Sequence, residues 1–152
     1  TMMTNMMTDV AAALNQVLAD SFALYIKAKN FQWHVSGPHF RDYHLLLDEQ
    51  ATQILASTDL IAERVRKIGG NTIRSVGHIA RLSEVRDNDA DHVPAKDMLG
   101  ELRQDNLILV DSLKKAKAIA DTAGDNASSG VIDGWTDEAE QRAWFLLESA
   151  RD

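Results

Sequence analysis

Apolar residues recur at helical spacing along most of this chain. Between residues 9 and 34, Leu14, Val17, Leu18, Phe22, Tyr25 and Ile26 follow the period of three and four. They predict a core-packed first helix from about Asp9 to about His34, with Gly37-Pro38 marking an end nearby. A second stripe, Tyr43, Leu47, Ile54, Ile61, Val65 and Ile68, predicts a helix from about Phe40 to Ile68, closed by Gly69-Gly70. A polar connection runs from Asn71 to Val93. Within it the amphipathic patch Val76 to Leu82 predicts a short helix lying across the bundle, because a bare loop of that length is unusual. Pro94 suits the first turn of a third long helix, which Leu99, Leu102, Leu107, Leu109, Leu113 and Ile119 carry to about Asp121. Ala123-Gly124-Asp125 breaks that helix, and a last one runs to about Ser149. Gly130 and Gly134 weaken the last helix, each by roughly 1 kcal/mol against alanine. A break there with Thr136 as a new N-cap is the alternative. The pattern predicts an all-α four-helix bundle with a short extra helix, in one domain over residues 1–152.

The second helix carries the most informative polar pattern. His44, Asp48, Asp59 and Glu63 are spaced by four, eleven and four residues. Each i,i+4 pair sets two side chains on one face, a turn apart. With Tyr43 at zero and about 100° per residue, the apolar stripe stays within roughly 40° of Tyr43. The four polar residues fall between about 100° and 200°, pointing away from the chain's own core. A metal site inside a four-helix bundle points inward instead. Imidazole plus carboxylates is a ligand set for iron or manganese rather than for structural zinc. The two pairs lie roughly 16 Å apart along the helix, too far for one small site. A second copy of the helix, antiparallel across a two-fold axis, would bring His44 and Asp48 of one chain to Asp59 and Glu63 of the other. On spacing alone, a solvated polar face accounts for the same residues.

Composition narrows the classes. A chain of 152 residues with 45% hydrophobic content and two prolines can bury a real core. The absence of cysteine excludes disulfide frameworks, cysteine zinc sites and thiol catalysis, and fits a reducing cytoplasm. Thr1 to Asp9 hold no lysine or arginine and no long apolar run, so Met2, Met3, Met6 and Met7 read as a flexible or redundant start rather than a targeting segment. No stretch approaches the roughly 18 apolar residues of a membrane span. The net charge of −7 opposes tight non-specific binding to nucleic acid, which needs Lys and Arg against phosphates.

The stretch Lys29-Asn30-Phe31-Gln32-Trp33-His34-Val35-Ser36-Gly37-Pro38-His39-Phe40, then His44-Leu45-Leu46-Leu47-Asp48 and Asp59-Leu60-Ile61-Ala62-Glu63-Arg64, resembles the Dps family of mini-ferritins. The closing Trp144-Phe145-Leu146-Leu147-Glu148-Ser149 looks like the end of that family's last helix. The resemblance implies a ferritin-like bundle assembling as a hollow dodecamer, with di-iron ferroxidase centres at two-fold interfaces. It maps the metal ligands onto His44 and Asp48 of one chain and Asp59 and Glu63 of its partner. It further implies Fe(II) oxidation, preferably by hydrogen peroxide, and storage of Fe(III) as a mineral. Trp33 would then sit beside the iron, as a carrier of oxidising equivalents or as a packing aromatic. Asp121 and Asp125 are candidates for the family's acidic three-fold pores, or else turn and capping residues. One position departs: where the family has a histidine before the tryptophan, this chain has Gln32, a neutral and weaker ligand. His34, about 200° further round, substitutes only if the helix ends or loosens there. Some members bind DNA through a lysine-rich tail; this sequence shows none, so weak or no DNA binding is expected. The alternatives are a DNA-coating or nucleoid stress protein with a degenerate metal centre, and a purely structural helical assembly.

Overall fold

The computed structural model describes residues 2–152. Five helices follow one another: α1 (Met2–His34), α2 (Phe40–Lys67), α3 (Val76–Leu82), α4 (Ala95–Thr122) and α5 (Asn126–Ser149). No strand occurs among the described residues. α1 packs along α2, α4 along α5, and α1 against α4, while α2 and α5 meet only lightly. The core lies between them, with Leu14, Leu18 and Phe31 of α1, Leu47, Ile54 and Ile61 of α2, Leu99 and Leu113 of α4, and Ile132 and Leu146 of α5 all fully buried.

Two expectations need correcting, and the alternative of a broken last helix falls away. α1 starts at Met2 rather than near Asp9, so the early methionines form helical turns and not a flexible lead. Methionine is a good helix former, and the Thr8 hydroxyl donates to Thr4 O at 2.9 Å. Ile26 keeps the helical period yet is 58% exposed, so it lies outside the packed stripe. α5 runs unbroken through Gly130 and Gly134. Thr136 is no cap: its hydroxyl donates to Ile132 O at 3.0 Å, one turn back. Burial of Ile132, Trp135, Ala139 and Leu146 outweighs the two glycines, since packing supplies most helix stability in a protein.

α2 and α4 stop by the same device. Gly69 has φ +87° and Gly124 φ +70°, a left-handed turn that glycine adopts without steric cost. After α2, Gly69 N–H donates to Arg66 O at 3.0 Å and Gly70 N–H to Val65 O at 3.0 Å. After α4, Gly124 N–H donates to Asp121 O at 3.1 Å and Asp125 N–H to Ala120 O at 2.9 Å. Both pairs satisfy carbonyls the helix leaves open.

The crossover between α2 and α4 has no ladder of its own. A polar face of α1 holds it instead. Asn15 Nδ2 donates to Asn71 O at 2.9 Å, Gln16 Nε2 to Leu82 O at 2.7 Å, Lys27 Nζ to Arg86 O at 2.8 Å and Asn30 Nδ2 to Asn88 O at 3.0 Å. Asp20 accepts the Glu84 N–H at 2.7 Å and is itself fully buried. Burial pushes the Asp20 carboxyl above its ordinary value of 3.8, against the hydrogen bonds from Glu84, Gln16 and Ser112.

The bundle interior also holds an arginine. Arg142 of α5 is 5% exposed; its Nε donates to Asn106 Oδ1 on α4 and its Nη1 to Gln53 Oε1 on α2, both at 2.8 Å. Gln50 Nε2 donates to Arg142 O at 3.2 Å. Desolvation lowers its pKa to about 10, so it stays charged at neutral pH. These bonds tie α2 to α5 where apolar packing between them is thin.

Candidate metal centre

α2 presents His44, Asp48, Asp59 and Glu63 on the side away from the core stripe, as its sequence predicts. His44 is half-buried, and its Nδ1 lies 2.9 Å from the main-chain carbonyl of Gln32. A carbonyl only accepts, so Nδ1 carries the proton and Nε2 is the nitrogen left for a metal. Metal-bound histidines are commonly held in this way, the second nitrogen fixing the tautomer. The Phe40 ring stacks on the imidazole, with centroids 5.1 Å apart and planes at 30°.

Asp48 is half-exposed and pairs with Lys29 Nζ on α1 at 3.3 Å. The same ammonium lies 5.8 Å from the centroid of the Trp33 ring, which is itself exposed. Asp59 and Glu63 stand exposed toward the other end of α2 and make no hydrogen bond or ion pair among the described residues. Thus the chain brings His44 and Asp48 to one end and leaves Asp59 and Glu63 apart from them. No three His, Asp or Glu side chains gather as a metal cage among the described residues of a single chain.

The spacing has a two-fold property. The midpoint between His44 and Glu63 coincides with that between Asp48 and Asp59, both falling between Gln53 and Ile54. An antiparallel partner helix centred there sets His44 opposite Glu63 and Asp48 opposite Asp59, at both ends at once. Leu45, Leu55 and Leu60 are exposed on this same outer side. Apolar residues interleaved with acids suit a covered surface better than a solvated one.

Gln32 lies on the last turn of α1, only 6% exposed, and its Oε1 has no hydrogen-bond partner. His34 does not replace it. The helix keeps its bonding past this point, Val35 N–H donating to Phe31 O at 2.8 Å, so His34 stays on another face. Its Nδ1 lies 2.7 Å from Asn30 O and 2.9 Å from Asn30 Oδ1.

Of the two pore candidates, Asp125 is a cap. Its Oδ1 accepts the Ser128 N–H at 3.1 Å, its Oδ2 accepts the Ser128 hydroxyl at 2.6 Å, and Arg64 Nη2 lies 3.7 Å away. Its side chain is 7% exposed and paired. Asp121 is exposed and accepts the Ser129 hydroxyl at 2.5 Å. Trp135 is a core residue, whereas Trp144 is exposed and packs edge-on against Phe145.

Two groups escaped the sequence. Lys29 reaches Asp48 from another helix, and no spacing rule joins residues 19 apart. The carbonyl that orients His44 is a main-chain atom, which carries no residue signature.

Residues 11–151 match the model of the ferritin-like domain. A DNA protection during starvation protein from Brevibacillus brevis is 32% identical over 145 residues, covering 95% of this chain and 97% of its own. A low temperature-induced protein from Nostoc sp. is 35% identical over 134 residues, covering 88% of this chain and 75% of its own. Among solved structures, a Dps protein from Bacillus brevis superposes with a TM-score of 0.93 at 30% identity, over 97% of this chain and 98% of the other. No described helix is long and apolar enough to cross a membrane.

Proposed function

Because the chain belongs to the ferritin-like family and, within it, to the Dps proteins, we propose that it is an iron-oxidising, iron-storing mini-ferritin working as a hollow dodecamer. The observation that carries this reading is the outward row on α2, symmetric about one midpoint, with the Nε2 lone pair of His44 held free by the Gln32 carbonyl. His44 and Asp48 of one chain face Asp59 and Glu63 of the next, so each site is completed only by assembly.

The chemistry follows from the donor set. Carboxylates are hard donors that stabilise Fe(III) more than Fe(II), which eases loss of an electron. His44, fixed in one tautomer, anchors the metal in one orientation. Two Fe(II) give up one electron each; hydrogen peroxide takes both with two protons and leaves as two waters. Paired transfer avoids a one-electron cleavage that releases hydroxyl radical. The Fe(III) product then collects inside the shell.

Fe(II) oxidation by hydrogen peroxide, followed without oxygen, tests the reading on the native protein and on Asp59→Asn/Glu63→Gln. Fast oxidation that collapses in the variant, with soluble Fe(III) retained by a large particle, is expected. Equal, slow rates in both would sink it. The DNA-coating alternative finds no support in the acidic surface, and a gel-retardation series at rising salt should show free DNA throughout.

A further inference from the structure

We infer that Gln32 is itself a ligand, through Oε1, and that it biases the centre toward hard ions and against zinc. The inference rests on the proposed intersubunit site and adds to it the basis of metal choice.

Among the described residues only two buried side-chain polar atoms lack a hydrogen bond, Gln32 Oε1 and Asp105 Oδ2. Asp105 Oδ2 has the Lys27 ammonium at 2.8 Å, so its charge is answered. Gln32 Oε1 alone has nothing. Buried acceptors in native proteins are nearly always satisfied, and one that is not calls for an explanation. The same residue's main-chain carbonyl holds His44 at 2.9 Å, so residue 32 is in direct contact with the imidazole. The unanswered oxygen therefore belongs to the residue whose main chain orients His44. A cation held between this oxygen and His44 Nε2 would answer it. His34 cannot serve that purpose, since its ring turns back to Asn30.

The donor type decides which cation. At equal geometry, zinc binds nitrogen and oxygen sites more tightly than Fe(II) or Mn(II), and imidazole widens that gap. An amide oxygen is a hard donor that favours manganese and iron over zinc. With Gln32 in place, His44 is the single nitrogen donor among the residues assigned to the centre. Free zinc therefore competes less well with iron than it would against two imidazoles.

Anaerobic calorimetric titration of the assembled protein with Mn(II) and with Zn(II) tests this, without reference to activity. Gln32→His should tighten Zn(II) by about tenfold or more while changing Mn(II) by less than about threefold, following ligand softness. Gln32→Ala should weaken Mn(II) several-fold. The visible spectrum of bound Co(II) should shift between native protein and Gln32→His as an oxygen donor becomes a nitrogen. Unchanged affinities in both variants together with an unchanged Co(II) spectrum overturn the inference. Asp59→Asn/Glu63→Gln separates the two failures: if it leaves metal binding as in the native protein, the site itself is misplaced and this inference falls with it.

Discussion

Replacing Lys27 by methionine should cost this fold more than any surface change. The Lys27 ammonium is 5% exposed and lies 2.8 Å from both Glu101 Oε1 and Asp105 Oδ2. It also donates to Arg86 O at 2.8 Å. Methionine keeps the apolar stem and removes the charge, which leaves Asp105, with its side chain 6% exposed, as an unpaired buried carboxylate. Removing one partner of a buried pair costs about 3–5 kcal/mol. Glu101 is a third exposed and can turn to water, so it adds little. Burial already holds the Asp105 carboxyl above 3.8, with Lys27 pulling it down; without Lys27 it rises further. A carboxyl raised in the folded state favours folding below its unfolded value, and that benefit is lost as pH climbs through the folded value. The deficit should therefore be full at alkaline pH and shrink as the pH falls. Urea unfolding at fixed subunit concentration, at several pH values, reads this directly. Lys27→Met/Asp105→Asn lacks the stranded charge, so it should recover part of the loss at high pH and flatten the pH dependence. A deficit under about 1 kcal/mol, or one equal at all pH values, would refute the reasoning.

Other outcomes follow from single contacts. Lys29→Met removes the cation resting on Asp48, and because an exposed pair is worth at most about 1 kcal/mol, Mn(II) should bind up to about fivefold tighter by titration. Asp125→Ala removes the cap of α5 and the partner of Arg64, and should lower stability by about 1–2 kcal/mol in thermal unfolding. Gly134→Ala meets nothing within 4 Å of the added Cβ and should stabilise α5 by roughly 0.5–1 kcal/mol. A loss there would instead reveal another subunit against that face. Variants that dissociate the shell to single chains should lose iron oxidation, since no one chain gathers three ligands among its described residues.

What the sequence made legible was whatever repeats with the helix. The stripe from Tyr43 to Val65 is buried, and the row lying about 100° to 200° round from Tyr43 is half-buried at His44 and open at Asp59 and Glu63. Positions without a periodic partner were harder. Residues 2–8 carry no clear stripe, so the true start of α1 did not show. Ile26 kept the period but lies outside the packed stripe. The glycines of α5 argued for a break that packing overrides. Least legible were groups defined by atoms common to every residue: the carbonyl behind His44, and the main-chain atoms gripped by α1. Asn15, Gln16, Asp20, Lys27 and Asn30 read only as the polar side of a helix, because their partners lie more than fifty residues away.

That grip has a consequence for how the sequence can drift. α1 holds the crossover by the oxygens of residues 71, 82, 86 and 88 and the N–H of residue 84. Every amino acid offers the oxygen, and all but proline offer the N–H. Specificity therefore resides mainly in the five side chains of α1, with Thr72, Ile73 and Ser83 the crossover's own contributions to that contact. A saturation scan should show the asymmetry: intolerance at positions 15, 16, 20, 27 and 30, and wide freedom across 71–88. The exceptions are proline at 84 and within α3, the buried Val85, Ile73 against the core, Ser75 as the cap of α3, Thr72 and Ser83, whose hydroxyls reach Asn15 and Asp20, and Asn88, whose amide reaches Glu101 at 2.9 Å. The path of the crossover is thus encoded mainly in a different part of the chain from the one that follows it, and its outer side chains can be rewritten without moving it.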